Sequence, residues 1–405
     1  MASIFEKLWN LGPAAFILKA IVAAFIANAM LLAFILFRRA YRKRYFTRRD
    51  KRVFELRQNW DALISGKVPY TEWRNKTLDL QIVEAMALDA LEASGPEESA
   101  RLLKFLRNSG LIEKRICEAR QFTGWRRLQA LVALGCTRAP EGISALAEGL
   151  RDGDIEVRLA ALRGLGRMAS PQAGEEILAS VAEMGLCIPA LPLQNALIQC
   201  TAERPQILLP YIRHAESPFR EVLGRVLGEV ATPSLGPDLL QFAEDEIDEL
   251  RAAAARGLSH TKVELALDVL SELGHDPTWF VRLRAIVSLG KLSDRRTIPT
   301  LLRGLTDANR LVRFRAAEGL VAFKTEMGPI FAAVIATRDR YGLHAYLTAL
   351  ENAHLRGMLE EELQASTNIS EKEKGHLQSV LMTGALPTED AAMTAEIPEH
   401  VAALR

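Results

Sequence analysis

The sequence predicts an all-α protein, an α-solenoid of about eight 31-residue helix pairs preceded by one transmembrane helix. Three observations carry this prediction: an arginine recurs at a constant interval, each unit contains two segments with helical apolar spacing, and residues 20–37 are almost entirely apolar. Of the 405 residues, 49% are hydrophobic and only 6% are aromatic, with Leu, Ala, Arg and Glu dominant. This composition excludes global disorder and favours helix over sheet.

The apolar run reads AIVAAFIANAMLLAFILF, and Asn28 is its only polar residue. Extension to residues 13–37 gives a length that crosses the hydrocarbon core, because about 20 helical residues rise roughly 30 Å. Lys19 lies near the outer end, from which its long side chain can reach the headgroups. We therefore expect a transmembrane helix over residues 13–37.

The charges beside this run predict its orientation. Residues 38–52 carry nine Arg or Lys and one acid, whereas residues 1–12 contain few charges. Basic flanks of a span stay in the cytoplasm. We therefore predict a single-pass inner-membrane protein with residues 1–12 outside and everything after residue 38 in the cytoplasm. The alternative is a signal peptide cleaved near residues 27–29, which the continuing apolar run and the positive charge that follows it disfavour.

The basic juxtamembrane segment, residues 38–52, also supplies candidate contacts to anionic lipid headgroups. Basic residues near a bilayer surface contribute roughly 1 kcal/mol each, and Tyr41, Tyr45 and Phe46 suit an interfacial position. A topology signal alone would explain the same charges. The candidate lipid-contact residues are Arg38, Arg39, Arg42, Lys43, Arg44, Arg48 and Arg49.

From residue 123 onward the chain repeats itself with a regular period. The recurring arginines, whose numbers differ by 31 or by 62, are Arg127, Arg158, Arg220, Arg251, Arg282 and Arg313. Degenerate copies at Pro189 and His344 complete eight registers over residues 123–370. Each register contains two helical patterns, and the second often has proline near its first turn, as Pro171 shows. One such pair cannot bury its apolar face alone, so the pairs must stack into a continuous core.

The repeat resembles the HEAT family, in particular its short bacterial form, also called the phycobilisome-lyase type. The resemblance covers roughly residues 97–380 and rests on an acid, Val and Arg pattern that ends in Leu-Gly. Its residues are Asp154, Val157 and Arg158, then Asp276, Val281 and Arg282, then Asp307, Val312 and Arg313. The resemblance implies a HEAT-type α-solenoid in which aspartate and arginine form a ladder between successive turns. It is specific for fold and not for function.

The segments around the repeats predict caps. Residues 53–122 keep helical periodicity outside the 31-residue phase, and we interpret them as a linker and N-terminal cap. Its aromatic residues, including Trp60 and Trp73, are assigned to the core of the cap, with a partner-binding patch as the alternative. Residues 371–384 predict a C-terminal capping helix, and residues 385–405 predict a flexible tail.

The charge distribution points to a binding surface on the repeats. Residues 236–276 carry ten acids and three bases, and residues 277–325 carry ten bases and three acids. Solvated helix faces are the simple explanation, and a bipolar surface that steers one protein partner is the alternative. The candidate partner-binding residues are Glu244, Asp245, Glu246, Asp248, Glu249, Arg295, Arg296, Arg303 and Arg310.

Sequence motifs for catalysis are absent. No Walker A loop, G-x-G-x-x-G, G-x-S-x-G or H-E-x-x-H occurs, the seven histidines are dispersed, and the four cysteines form no C-x-x-C pair. The His-Glu pairs that bind iron in the HEAT-type deoxyhypusine hydroxylases are also missing. We therefore expect no enzyme activity, no catalytic or metal-binding residue and no cofactor.

These features favour a membrane-anchored cytoplasmic scaffold that docks a protein partner, expected to be an inner-membrane or envelope-biogenesis protein. The first alternative is an enzyme or enzyme subunit of the HEAT-like chromophore-lyase kind. The second is a nucleic-acid binder that would use the basic surface of residues 277–325, which the anchor and the net charge of +1 disfavour. A small-molecule substrate is not expected.

Overall fold

The structure is a computed structural model. It describes, with side chains from residue 16 onward, residues 12–261, 265–365 and 370–386. Every regular element in these ranges is helical. The predicted extracytoplasmic segment, residues 1–12, and the predicted tail, residues 385–405, lie almost wholly outside the described residues.

The first of two compact units, Met1–Arg115, has an aromatic core. Trp73 is 1% exposed and its ring centroid lies 5.8 Å from that of Phe105, which Trp60 also contacts. Trp73 is therefore a core residue, and Trp60 is half-buried against the same core. The helices are α1 Gly12–Gln58, α2 Trp60–Ile64, α3 Thr71–Arg74, α4 Thr77–Ala93, α5 Pro96–Asn108 and α6 Leu111–Gln121, which crosses the unit boundary.

Helix α1 runs without a break through the apolar run and the whole basic segment. Its 47 residues rise about 70 Å at 1.5 Å each. All described side chains from Phe16 to Phe37 are exposed. In the described part of the chain, α1 is the one single helix long and apolar enough to cross a membrane. A bent pair, Arg310–Val321 and Lys324–Ala336, meets that test only jointly, and most of its apolar side chains are buried in the repeat core.

The C-terminal end of α1 is clamped to α4. Arg52 donates from Nε and Nη2 to the two carboxylate oxygens of Asp79 at 2.8 and 2.9 Å, and from Nη1 to Glu55 at 2.7 Å. These bonds raise the pKa of Arg52 above its ordinary value, that to Asp79 most. Bidentate bonds to a buried carboxylate are strong and directional. This contact, here named the clamp, therefore fixes α4 on α1.

The second unit, Ile116–Arg405, stacks eight helix pairs, which confirms the predicted all-α solenoid. Successive first helices pack against one another, and the second helices, most of them shorter, pack against first helices of their own or the next repeat. The first helices are α7 Gly124–Thr137, α9 Ile155–Met168, α11 Ala190–Thr201, α13 Phe219–Val230, α15 Asp248–Gly257, α17 Trp279–Leu292, α19 Arg310–Val321 and α21 Arg340–Asn352.

The second helices differ more in length than the first. They are α8 Ile143–Leu150, α10 Pro171–Met184, α12 Leu209–His214, α14 Gly236–Phe242, α16 Ala266–Leu273, α18 Ile298–Gly304, α20 Met327–Ala336 and α22 Arg356–Ala365. A further helix, α23 Glu371–Thr383, packs on α22 at the position predicted for a cap.

The second repeat shows why each unit folds as a helix pair. Asp154 caps α9 by accepting a hydrogen bond from the backbone N–H of Glu156 at 2.9 Å. Apolar residues at helical spacing, such as Val157 and Leu165, are completely buried. The helix ends at Ala169, which is left-handed with φ 49°. The second helix then starts with a serine cap and with proline at its first position, where the missing N–H costs nothing.

Neighbouring first helices approach most closely where glycines face each other. A Cβ on Gly135 of α7 would lie 2.5 Å from the Cα of Gly164 on α9, which leaves no room for it. A Cβ on Gly290 of α17 would lie 3.1 Å from the Cα of Gly319 on α19. Gly135 and Gly290 each end a Leu-Gly step of the repeat pattern. That step therefore has a packing role in the solenoid.

Candidate functional site

An Arg–Asp ladder connects the turns between repeats. In a typical rung, Arg251 donates from Nη1 to the carbonyl oxygen of Asp245, six residues earlier, at 2.9 Å. The same guanidinium donates from Nε and Nη2 to the carboxylate of Asp276, 25 residues later, at 2.6 and 3.1 Å. The two steps together give the 31-residue period. Among the described residues, the carboxylate rungs are Arg127–Asp152, Arg220–Asp245, Arg251–Asp276 and Arg282–Asp307.

The rung Arg282–Asp307 stays ionised and has a structural role. Burial alone would raise the pKa of Asp307, but hydrogen bonds from Arg282 and from the backbone N–H of Asn309 lower it below its ordinary value. The bond to Asp307 raises the pKa of Arg282 in turn. Buried, fully hydrogen-bonded ion pairs of this kind hold neighbouring turns in register. The rung side chains are therefore already bound to one another within the solenoid and are not available to a partner.

Asp154, which the HEAT-like pattern assigns to the ladder, is not a rung. It lies four residues before Arg158 and caps α9, whereas rung aspartates lie six residues before an arginine. The rung acid of this repeat is Asp152, which binds Arg127. The implied ladder is therefore present, but the assignment of this aspartate was wrong.

The ladder ends at Arg313, because the position of its partner carboxylate is occupied by Arg338. Arg313 keeps only the backbone part of a rung and donates to two carbonyl oxygens of the preceding turn at 2.6 and 3.1 Å. Its guanidinium carbon also lies 5.4 Å from the ring centroid of Tyr341, and that of Arg340 lies 5.0 Å from the same centroid. An exposed tyrosine thus contacts two arginines by cation–π interactions.

The predicted acidic residues lie in the turn before α15 and in its first turn. We name as the ladder edge the turns that lead into the first helices, together with the last turn of the second helix before each of them and the first turn of the first helix after it. Three of the five acids bind other residues of the unit, in the pairs Asp245–Arg220, Asp248–Thr278 and Glu249–Arg225. Glu244 and Glu246 are exposed and have no ion partner within the described ranges.

The predicted basic residues do not form one surface. Arg295 and Arg296 lie in the turn after α17, at the opposite end of that helix from the ladder edge, and both bind neighbouring carboxylates. Arg303, near the end of α18, and Arg310, the first residue of α19, lie on the ladder edge. Both are exposed, and neither has an ion partner in the described part of the chain. Only these two arginines therefore share an edge with the free glutamates.

Sequence reasoning missed a row of exposed apolar side chains on the ladder edge. Each is the first or second residue of a first helix, and their exposed fractions range from 38% to 69%. The row consists of Trp125, Ile155, Leu191, Trp279, Leu311 and Tyr341. Exposed first turns usually carry polar or acidic residues. An apolar residue that recurs directly after the turn is therefore the signal that could have revealed the row.

The seven candidate lipid-contact residues are all exposed along α1. At about 100° per residue, their positions point in all directions around the helix axis, with no gap wider than about 100°. They form a ring of positive charge, here named the basic collar, rather than one charged face. The collar directly follows the apolar part of the helix.

Chemistry-bearing groups do not converge in the described part of the chain. No three His, Cys, Asp or Glu side chains there could hold a metal ion together. Two open clefts of about 440 and 510 Å³ flank Arg52 in the first unit. Burial raises the pKa of the Cys200 thiol to about 11, which leaves it protonated and unreactive at neutral pH.

The stacked helix pairs, the 31-residue period and the ladder define a helical repeat protein whose working surface is its solenoid. A model of HEAT repeats matches residues 205–290 and 273–351, and a model of the PBS lyase HEAT-like repeat matches residues 157–183. Residues 157–183 and 205–351 are therefore HEAT repeats.

Known proteins share parts of this solenoid. The chain is 26% identical over 192 residues to the bilin biosynthesis protein PecE of Mastigocladus laminosus. The matched residues make up 46% of this chain and 70% of that protein. Yeast importin-β (Kap95p) is 14% identical with a TM-score of 0.39, over 80% of this chain and 53% of that one. The complex of CpcE and CpcF of phycocyanin lyase from a Nostoc species is 17% identical with a TM-score of 0.24. The match covers 59% of this chain and 87% of that one. TM-scores this low carry no information about function.

Proposed function

We propose that the chain is a membrane-anchored scaffold, in which α1 crosses the inner membrane once and the repeats dock a protein partner in the cytoplasm. The observation that carries the proposal is α1, whose apolar part is exposed and which continues without a break into the basic collar and the clamp. Exposed apolar surface of this extent is unfavourable in water, and a bilayer covers the whole circumference of a helix.

The basic collar supports a crossing orientation. A helix that lies in the membrane surface carries its basic residues on one face, whereas the collar surrounds α1. The collar flanks one end of the apolar part, which favours the cytoplasm for everything that follows it. The same side chains are placed to bind anionic headgroups, at roughly 1 kcal/mol each.

The repeats supply the docking surface. The arginine and aspartate of each rung bind each other. The charges available to a partner are therefore those outside the ladder, such as Glu244, Glu246, Arg303 and Arg310. Opposite charges on one edge favour encounter in a single orientation. A partner in the same membrane would meet this edge at high effective concentration, since the anchor confines both proteins to one surface. We therefore propose a membrane-resident partner, such as an envelope-biogenesis protein.

Reporter fusions at the C-terminus test the topology. Alkaline phosphatase fused there is expected to be inactive, because it needs disulfides that form only outside the cytoplasm. A fluorescent protein at the same position is expected to be active. Replacement of the seven collar residues by Gln is expected to raise phosphatase activity, because the orientation signal is lost. As a control, seven exposed arginines of the repeats are replaced instead. Active phosphatase on the unmodified chain would contradict the topology.

Cross-linking in native membranes, followed by mass spectrometry, tests the scaffold role. We expect cross-links that join residues of the repeats to one predominant membrane protein. Cross-links within the solenoid, between residues in neighbouring turns, serve as the internal control for reagent access. If those form and no other protein is attached to the repeats, the scaffold proposal is wrong.

A second candidate is a subunit of a chromophore-attaching enzyme. The similarity to the bilin biosynthesis protein PecE over 192 residues favours it. Purified full-length protein would then bind an added bilin, with a shift of the visible absorption band. The scaffold proposal expects no shift, so this titration separates the two candidates.

A further inference from the structure

Three successive first helices present large apolar side chains at one end of the row on the ladder edge. Trp279 starts α17, Leu311 is the second residue of α19, and Tyr341 is the second residue of α21. Their exposed fractions are 43%, 52% and 57%. We name these three side chains the C-terminal ridge.

The ladder aligns the ridge. The rung Arg282–Asp307 joins the start of α17 to the turn before α19, and Arg313 of α19 stacks on Tyr341 of α21. The three helix starts are therefore neighbours in space. Packed helices lie about 8–10 Å apart, so the ridge extends over roughly 20 Å. Rigid neighbours on a packed scaffold lose little entropy when a partner binds them.

The exposed charges beside Leu311 and Tyr341 are basic. Arg310, Arg338 and Arg340 are exposed, and none has a carboxylate partner in the described part of the chain. The nearest acids are engaged, because Asp307 is a rung and Asp339 caps α21 by accepting from the Gly342 N–H at 2.6 Å. Elsewhere in the row, by contrast, Ile155 stands between Asp154 and Glu156.

We propose that the C-terminal ridge binds an acidic, amphipathic helical segment of the partner protein. The inference rests on the proposed scaffold function and names the surface and the chemistry of its partner. A helix with apolar residues seven positions apart presents them at intervals of about 10 Å, which matches the spacing of neighbouring first helices. Trp, Tyr and Arg are also the residues that dominate binding energy at protein interfaces. Acidic residues beside the apolar ones would pair with the three free arginines.

An anionic bilayer is the competing occupant, since aromatic and basic side chains also suit a membrane surface. The repeat before the ridge, however, exposes Glu244 and Glu246 on the same edge. Anionic headgroups would be repelled there, while a protein segment of limited length can end before it. The distribution of charge along the edge therefore favours a protein.

Photo-cross-linking in native membranes tests the proposal on the full chain. A photoreactive amino acid replaces Leu311, and the attached segment is sequenced by mass spectrometry. We expect an acidic segment with apolar residues at helical spacing. The double variant Arg310→Glu/Arg340→Glu is expected to lower the yield of this adduct by about tenfold, because like charges then face each other. The matched control, Arg163→Glu/Arg204→Glu, changes two exposed arginines without ion partners elsewhere in the solenoid and leaves the yield unchanged.

A defined probe provides the second measurement. The full chain in lipid nanodiscs is titrated with a synthetic helical peptide long enough to reach all three ridge side chains, with Leu at every seventh position and Glu at most others. It is expected to bind about tenfold more tightly than the same peptide with Lys in place of Glu. The double variant Leu311→Glu/Tyr341→Glu of the protein is expected to remove this difference in affinity. A photoadduct with lipid, with a second copy of this chain or with a basic segment would overturn the proposal. The proposal would also be overturned if the photoadduct yield did not change in the variant Arg310→Glu/Arg340→Glu.

The two proposals fail in different ways. If cross-links join the repeats to a membrane protein elsewhere than at the ridge, the ridge inference is wrong and the scaffold function stands. If no protein is attached anywhere on the repeats, the scaffold function is wrong, and the ridge inference falls with it.

Discussion

The variant Asp276→Ala is expected to lose about 3 kcal/mol of unfolding free energy, because it breaks a buried rung of the ladder. The Asp276 carboxylate accepts hydrogen bonds from Nε and Nη2 of Arg251 and from the backbone N–H of Thr278. Its side chain is 5% exposed and that of Arg251 is 15% exposed. Without the carboxylate, a largely buried guanidinium loses its hydrogen-bonded counter-charge, and the turn before α17 loses a stabilising acceptor.

Urea unfolding of the detergent-solubilised protein, followed by circular dichroism, measures this loss. Glu318→Ala is the matched control, because the ion pair of Glu318 with Arg315 on α19 is 41% and 51% exposed. Exposed pairs contribute at most about 1 kcal/mol, so the control is expected to stay close to the unmodified protein. Equal losses for the two variants would show that the ladder is no stronger than a surface ion pair.

The variant Gly135→Ala is expected to lower the unfolding free energy by about 2 kcal/mol, despite the higher helix propensity of alanine. Its Cβ would lie 2.5 Å from the Cα of Gly164, a backbone atom that cannot rotate away. Helices α7 and α9 must therefore separate, and the side chains between them lose contact.

Gly375→Ala is the control for this change. Gly375 lies inside α23 with nothing within 4 Å of its missing Cβ. The same substitution there is expected to stabilise the protein by up to about 1 kcal/mol, because only the propensity changes. Urea unfolding of both variants measures the difference in sign. If Gly135→Ala is also stabilising, the close approach of the first helices is not a feature of the folded protein.

The repeat architecture could be predicted from sequence because its period has a physical cause. A ladder arginine contacts a residue six positions back and another 25 positions ahead, so any insertion would break a rung. That constraint keeps the register wherever a rung forms. The degenerate copies at Pro189 and His344 have no ladder arginine, and the structure still has first helices there, α11 and α21.

Details within one turn could not be predicted. Asp152 and Asp154 are two residues apart, and only the folded turn shows which carboxylate faces Arg127. Net charge over a segment likewise ignores direction. Arg296 and Arg310 share one basic block, yet they lie at opposite ends of a repeat.

The exposed row escaped prediction for a related reason. Trp279 and Leu311 continue the apolar spacing of their helices, so the pattern alone groups them with core residues. Exposure depends on whether a neighbouring turn covers the helix start, which is a property of the stack and not of the single helix. The recurrence of an apolar residue after the turn can be read from the sequence, but the exposure of these side chains is visible only once the repeats are assembled.

The unbroken course of α1 has a consequence for distances in the proposed topology. Fifteen residues separate Phe37 from Arg52, which corresponds to about 22 Å of rigid helix between the bilayer and the clamp. That is more than twice the Debye length of about 8 Å at physiological ionic strength, so headgroup charge is largely screened at the clamp. Helix α1 therefore fixes the distance between the bilayer and the clamp. Its length sets the height of the clamp above the lipid, and each added or removed residue would turn the clamp about the helix axis by about 100°.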